Sequence, residues 1–138
     1  MSRSPKKHFL ELGFARLDTS RLKRQGFPEA IYCQGKETGQ IIKIMERLAR
    51  TKNNILATRA SFEVWQEVRK KFKRAVYNRH ARTIVIQQGK KKRPSGRVLI
   101  LSAGTADMGV AEEARVTGEF LGDRVEAVSY THLTLPTN

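Results

Sequence analysis

The sequence predicts an α/β protein: a small N-terminal α/β domain followed by the first βαβ unit of a three-layer parallel sheet. Three observations carry this prediction. Short β-branched runs alternate with amphipathic helical stretches over residues 30–87. A basic break, GKKKRPSG, interrupts all periodicity at residues 89–96. Beyond it a wholly apolar strand, Val98 to Leu101, runs through the small-residue turn SAGTAD into a helical stretch, which is how a βαβ unit opens.

Each element has a local reason. Residues 1 to about 20 read as an N-terminal arm in which HFLELGF is expected to form a short helix. Gly26 and Pro28 mark a turn, and Ala30 to Cys33 is a short strand ended by Gly35. From Thr38 to Thr51 the apolar positions Ile41, Ile44, Met45, Leu48 and Ala49 follow i, i+3, i+4, i+7, i+8, with Thr38 expected as N-cap. Ile55 to Thr58 is a strand after an Asn53-Asn54 turn, and Ser61 caps a second helix carrying Phe62, Trp65, Val68 and Phe72. Ala75 to Tyr77 and Thr83 to Gln87 are further strands, the second rich in β-branched residues. After the linker, VAEEARVTGEFLG is a helix stopped by Gly122, and Arg124 to Val128 begins the next strand. The expected division is residues 1–88, a linker at 89–96, and the opened βαβ unit at 97–128.

Composition narrows the function classes. The chain has 138 residues, 39% of them apolar, enough for a packed core and too few for a large two-domain enzyme. Lys and Arg number 27 against 13 Asp and Glu, a net charge of +14 that favours anionic partners without choosing among them. No run approaches the ~20 apolar residues of a membrane span and the first residues lack a secretory apolar core, so a cytoplasmic protein without membrane contact is expected. The single cysteine, Cys33, can form no internal disulfide and reads as a small core or edge-strand residue rather than a nucleophile.

The candidate chemistry lies in Ser102-Ala103-Gly104-Thr105-Ala106-Asp107, at the carboxyl end of an apolar strand and just before a helix. Small residues there let the backbone approach an anion, and the helix N-terminus offers unpaired N–H groups. A phosphate or carboxylate is the natural guest. Neither GxGxxG nor a P-loop is present, which disfavours a nucleotide dehydrogenase or a Walker-type NTPase. The competing reading is a tight turn in which Asp107 caps the helix. Glu112 and Glu113 follow in the first turns, where acids usually complement the macrodipole. Arg24, Lys36 and Arg59 could contact phosphates, a neighbouring subunit, or simply a strand end.

LSAGTADMGVAEEARVTGEFLG resembles the opening of the PurE-like domain of the LarB family, and LDTSRLKRQGFPEAIYCQGKE with ILATRAS resembles that family's N-terminal region. The resemblance covers roughly residues 14–128, with several motifs in the expected order. It implies a flavodoxin/Rossmann-like three-layer sheet for the second part. It also implies carboxylation of nicotinic acid adenine dinucleotide by CO2 or bicarbonate with release of AMP, giving pyridinium-3,5-biscarboxylic acid mononucleotide, the nickel-pincer cofactor precursor. By resemblance Gly104 and Thr105 approach the substrate phosphate, and Asp107 accepts from the ribose hydroxyls or helps hold the reacting group; Ser102 and Glu112 are weaker candidates. Ala106 departs from the family's frequent Ser, losing a hydroxyl donor. No tightly bound cofactor and no metal ligand is implied on this chain; Mg2+ is the candidate metal for the parent enzyme, which is expected to be a homo-oligomer. The family's later cysteine nucleophile matches no residue here, and the role does not transfer to Cys33.

Two other functions compete. A purine-pathway aminoimidazole ribonucleotide carboxylase or mutase shares the PurE-like fold, but such enzymes begin near the strand at Val98, whereas here the LarB-like region precedes it. A nucleic-acid-binding protein is suggested by twelve Lys or Arg and no Asp or Glu between Arg69 and Arg97, with Phe72 and Tyr77 interleaved. Against it, Phe72 falls on an apolar stripe and much of the charge falls in the linker. A third description, a non-catalytic interaction module, applies to the fragment in isolation. The final SYTHLTLPTN resembles a translated sequencing adapter, so residues 129–138 are expected to be non-native, His132 is no ligand candidate, and the βαβ unit is expected to be marginally folded.

Overall fold

A computed structural model describes residues 9–11, 13, 16–18, 29–91 and 93–130. Two short strands, β1 (Phe9–Glu11) and β2 (Arg16–Asp18), pair antiparallel at the start. The short helix expected at HFLELGF is therefore a hairpin arm. Gly13, between the strands, has φ +82°, a left-handed turn conformation that reverses the chain instead of continuing a helix.

The N-terminal domain is a four-stranded sheet of order β3-β4-β6-β5, built from β3 (Ala30–Tyr32), β4 (Ile55–Thr58), β5 (Ala75–Asn78) and β6 (Thr83–Ile86). The β3–β4 pair is parallel and is bridged by helix α1 (Thr38–Ala49); β4–β6 and β6–β5 are antiparallel. Of the five predicted stripe residues, Ile41, Ile44, Met45 and Leu48 are buried, and Ala49 is partly buried against the same core. They pack with Ile31, Ile55, Ala57, Ile84, Ile86 and Val68 into one core. The N-cap of α1 is Glu37 rather than the expected Thr38. The Gln40 side chain accepts a hydrogen bond from the Glu37 N–H at 3.0 Å, so a capping box moves the start one residue back. Helix α2 (Phe62–Lys71) starts as predicted, with Ser61 Oγ accepting from the Val64 N–H at 3.2 Å. Phe72 lies just past its end and still packs on the core.

The second part is a parallel pair, β7 (Arg97–Ala103) and β8 (Arg124–Tyr130), joined by a 3-10 turn (Thr105–Asp107) and helix α3 (Met108–Leu121). Gly122 ends α3 in the left-handed conformation, φ +105°. Strand β8 runs beyond the predicted limit at Val128, because the ladder continues through Ser102↔Ser129 and Ala103↔Tyr130. Its backbone pairing there is independent of side-chain periodicity. His132 lies outside the described residues. Between the two parts, Asn54 Oδ1 accepts from the N–H groups of Gln88 and Gly89 at 2.9 and 2.8 Å and fixes the exit from β6.

A wholly apolar strand such as Val98 to Leu101 is of the kind that parallel sheets bury on both faces. Instead Leu99 and Leu101, on one face by strand alternation, are 60% and 63% exposed. Helix α3 packs on β7 and β8, and among the described residues no further strand joins the pair.

Helix α3 also lies against β4 and β6 of the N-terminal sheet. Leu56, Ala81 and Thr83 are almost fully buried yet sit apart from the α1/α2 core. Alternation along β4 and β6 places Leu56 and Thr83 opposite Ala57 and Ile84, on the sheet face away from that core.

Candidate functional site

The loop at the end of β7 is shaped by its backbone. Gly104 has φ +81° and ψ 162°, a region that side-chain-bearing residues avoid, so the chain can leave the strand sharply only at glycine. Its N–H donates to the Tyr130 carbonyl at 2.8 Å, tying the loop to the carboxyl end of β8. Thr105, Ala106 and Asp107 then form the 3-10 turn, all three exposed, immediately ahead of α3. Asp107 occupies the N-cap position of α3 with αR backbone and makes no side-chain cap hydrogen bond. The capping role that competes with a ligand role for Asp107 is thus not taken up. Ser102 is half-buried near the end of β7, beside this turn.

Glu112 and Glu113 point elsewhere. Both lie in the second turn of α3, beyond the region where the macrodipole favours acids, and both face the N-terminal domain. Asn78 Nδ2 donates to Glu112 Oε1 at 3.0 Å. Arg115 donates from Nε to Glu112 Oε2 at 2.9 Å, with a second, shorter contact from Nη2 to Oε1. These hydrogen bonds from Arg115, against some desolvation and with help from Asn78 and the charge of His80, hold the Glu112 carboxyl at about 2. Arg115 is raised in turn, chiefly by its hydrogen bonds to Glu112. Arg59 Nε pairs with Glu113 Oε2 at 2.9 Å.

Arg59 reaches Glu113 because of a local backbone feature. It sits at φ +54° directly after β4 and breaks the strand so that Ala60 is buried and Ser61 caps α2. The Ala60 N–H donates to the Arg82 carbonyl at 2.8 Å, and its own carbonyl accepts from the Tyr77 hydroxyl at 3.0 Å. Asn78 is organised in the same way. Its Oδ1 accepts the Ala81 N–H at 2.9 Å, closing the 78–81 turn, while Nδ2 stays free to reach Glu112. The turn then presses its His80 carbonyl on α3: a Cβ on Gly109 would lie 3.3 Å from that oxygen.

Lys36 Nζ donates to the Tyr32 carbonyl at 2.7 Å and ties down its own turn. Arg24 lies outside the described residues. Cys33 is 4% exposed, and burial pushes its thiol up to about 11 against the opposing pull of Lys36, so it is a core residue and a poor nucleophile. The basic stretch is largely surface: Lys70 and Lys71 pair with Glu67 and Glu46, and Arg69 and Arg79 lie 4.8 and 4.7 Å from the ring centroids of Trp65 and Phe62. Among the described residues no group of three or more His, Cys, Asp or Glu could hold a metal ion, and no helix is long and apolar enough to cross a membrane.

Sequence reasoning did not single out Asn78, His80, Gly109 or Arg115. The available signal was YNRHAR between two strand runs, a polar turn whose asparagine can bond its own backbone.

The chain is similar to the uncharacterized protein MJ0165 of Methanocaldococcus jannaschii, 37% identical over 120 residues. That alignment covers 83% of this chain and 46% of the archaeal protein, so the chain spans about half the length of the relative it matches. A family model described as the LarB/PurE-like N-terminal domain matches residues 9–89, the hairpin arm and the four-stranded sheet with its two helices. With more than half of its residues matched in this way, the chain belongs to the LarB/PurE-like N-terminal domain family.

Proposed function

We propose that the chain is part of an enzyme that carboxylates nicotinic acid adenine dinucleotide and cleaves its phosphoanhydride, giving pyridinium-3,5-biscarboxylic acid mononucleotide and AMP. Family membership supports the general assignment. The observation that carries the finer reading is the loop 104–107: a glycine in a conformation closed to other residues, followed by exposed Thr105 and an Asp107 carboxylate not used to cap the helix it precedes. Backbone N–H groups at the start of α3 suit an anionic phosphate. Asp107 can accept hydrogen bonds from ribose hydroxyls, and Gly104 lets the phosphate approach the main chain. Ser102 borders the loop, and Glu112 serves it through the packing of α3. The carboxyl donor is CO2 or bicarbonate, water cleaves the P–O–P bond so that one phosphate stays on the mononucleotide and the other leaves as AMP, and the complete enzyme is a homo-oligomer.

The reaction is not complete on these residues. The family's covalent step needs a reactive cysteine, and Cys33 is buried in the wrong domain with its thiol held protonated. The 138-residue chain is therefore expected to release no bicarbonate-dependent AMP. A longer protein carrying the same residues 1–128 and a downstream cysteine should convert nicotinic acid adenine dinucleotide and 13C-bicarbonate to AMP and a mononucleotide bearing the labelled carboxylate. Unlabelled product, or turnover of aminoimidazole ribonucleotide in its place, would reject the assignment.

A further inference from the structure

Outside the loop, the most organised polar cluster is the contact between the N-terminal sheet and α3. It has three independent parts. Asn78 and Arg115 both hold Glu112, Arg59 holds Glu113, and the His80 carbonyl rests on Gly109 at the first turn of the helix. Thr83, fully buried, is the register partner of Asn78, so both side chains leave the hairpin on the face that meets α3. The N-terminal domain thus grips residues 109, 112 and 113 of the helix whose first residue, Met108, follows Asp107 directly.

We propose that Arg59 and Asn78 are positioning residues for the anion loop: through Glu113 and Glu112 they fix the start of α3, and with it the loop 104–107. This rests on the reading of that loop as a phosphate site. The physical reason is that a loop donating several N–H groups to one phosphate gains affinity from being held in place before the ligand arrives. The β7–β8 pair holds the loop by the Gly104 N–H to Tyr130 bond and carries the body of α3 by apolar packing. The N-terminal sheet adds polar tethers at residues 109, 112 and 113, close to the start of the helix, and this gives the N-terminal domain a role in the site without contact with the substrate.

The test uses the whole chain and inorganic phosphate as probe, with 15N spectra reporting on the Gly104 and Thr105 amides and hydrogen exchange reporting on residues 104–113. Arg59→Glu sets two carboxylates against each other. Asn78→Asp keeps the oxygen that accepts from Ala81 but replaces the donor facing Glu112 with a charge of the same sign. Each variant, well below its melting temperature, is expected to bind phosphate about tenfold more weakly and to lose protection at 104–113, and Arg59→Glu with Glu113→Arg should restore both. A purely structural contact would lower the melting temperature and leave the phosphate affinity of the folded protein unchanged, and that result overturns the proposal. If the unaltered chain shows no phosphate response, the anion-site reading fails, and exchange still decides the grip: unchanged protection in both single variants, or no rescue by the charge swap, overturns it.

Discussion

At Glu112 the hydrogen bonds from Arg115 lower the carboxyl from 4.5 to about 2. A carboxylate with a depressed folded-state value adds stability above its unfolded value and loses that contribution as pH falls through the folded one. Stability is therefore expected to drop between pH 4.5 and about 2 in a way Glu112→Gln should flatten, since the amide retains an acceptor for Asn78 and loses the charge facing Arg115 and His80. Thermal melting across that range measures it, and parallel curves for the two proteins would remove Glu112 from the account. The same residue shows what sequence could not supply. Its position on a helix suggested an interaction with the macrodipole, but its partners Asn78 and Arg115 are 34 and 3 positions away. Only the fold reveals the first of these, because no periodicity links a β-turn asparagine to a later helix.

Among the elements, the helices were the most legible. The stripe from Ile41 to Leu48, the Ser61 cap and the Gly122 stop each have a local cause, and all three occur as read. The hairpin arm was misread because three-residue strands carry too little pattern to oppose a plausible helix, and the deciding feature is the left-handed turn at Gly13. Loop 102–107 was legible in place, from its small residues between an apolar strand and a helix, but its conformation was not. Helix α3 rests on β8 through Gly118, where an added Cβ would lie 2.7 Å from Val125 Cγ2. Val125 is β-branched and has few rotamers with which to yield. Gly118→Ala is therefore expected to destabilise the chain by about 1 kcal/mol despite alanine's better helix propensity, a balance of overpacking against propensity that urea unfolding measures. A stabilised variant would show that α3 and β8 are less closely packed than described.

For the whole molecule, the two parts differ in how fully they bury their apolar residues. The N-terminal domain closes a core on α1 and α2 and covers part of its other face with α3. The β7–β8 pair leaves Leu99, Leu101 and Val128 open, residues of the kind a wider parallel sheet buries. The N-terminal domain and the loop-bearing helix nevertheless meet through specific pairs, which is why an anion site can be proposed on residues 104–107 as they stand. The most direct test is a titration of the 15N-labelled chain with nicotinic acid mononucleotide, which carries the proposed phosphoribosyl group. The largest amide shifts are expected at Gly104, Thr105 and Ala106, abolished in Gly104→Val, while the Arg69–Arg93 surface stays unchanged. Shifts confined to that basic surface, or none at 104–107 at millimolar ligand, would contradict it.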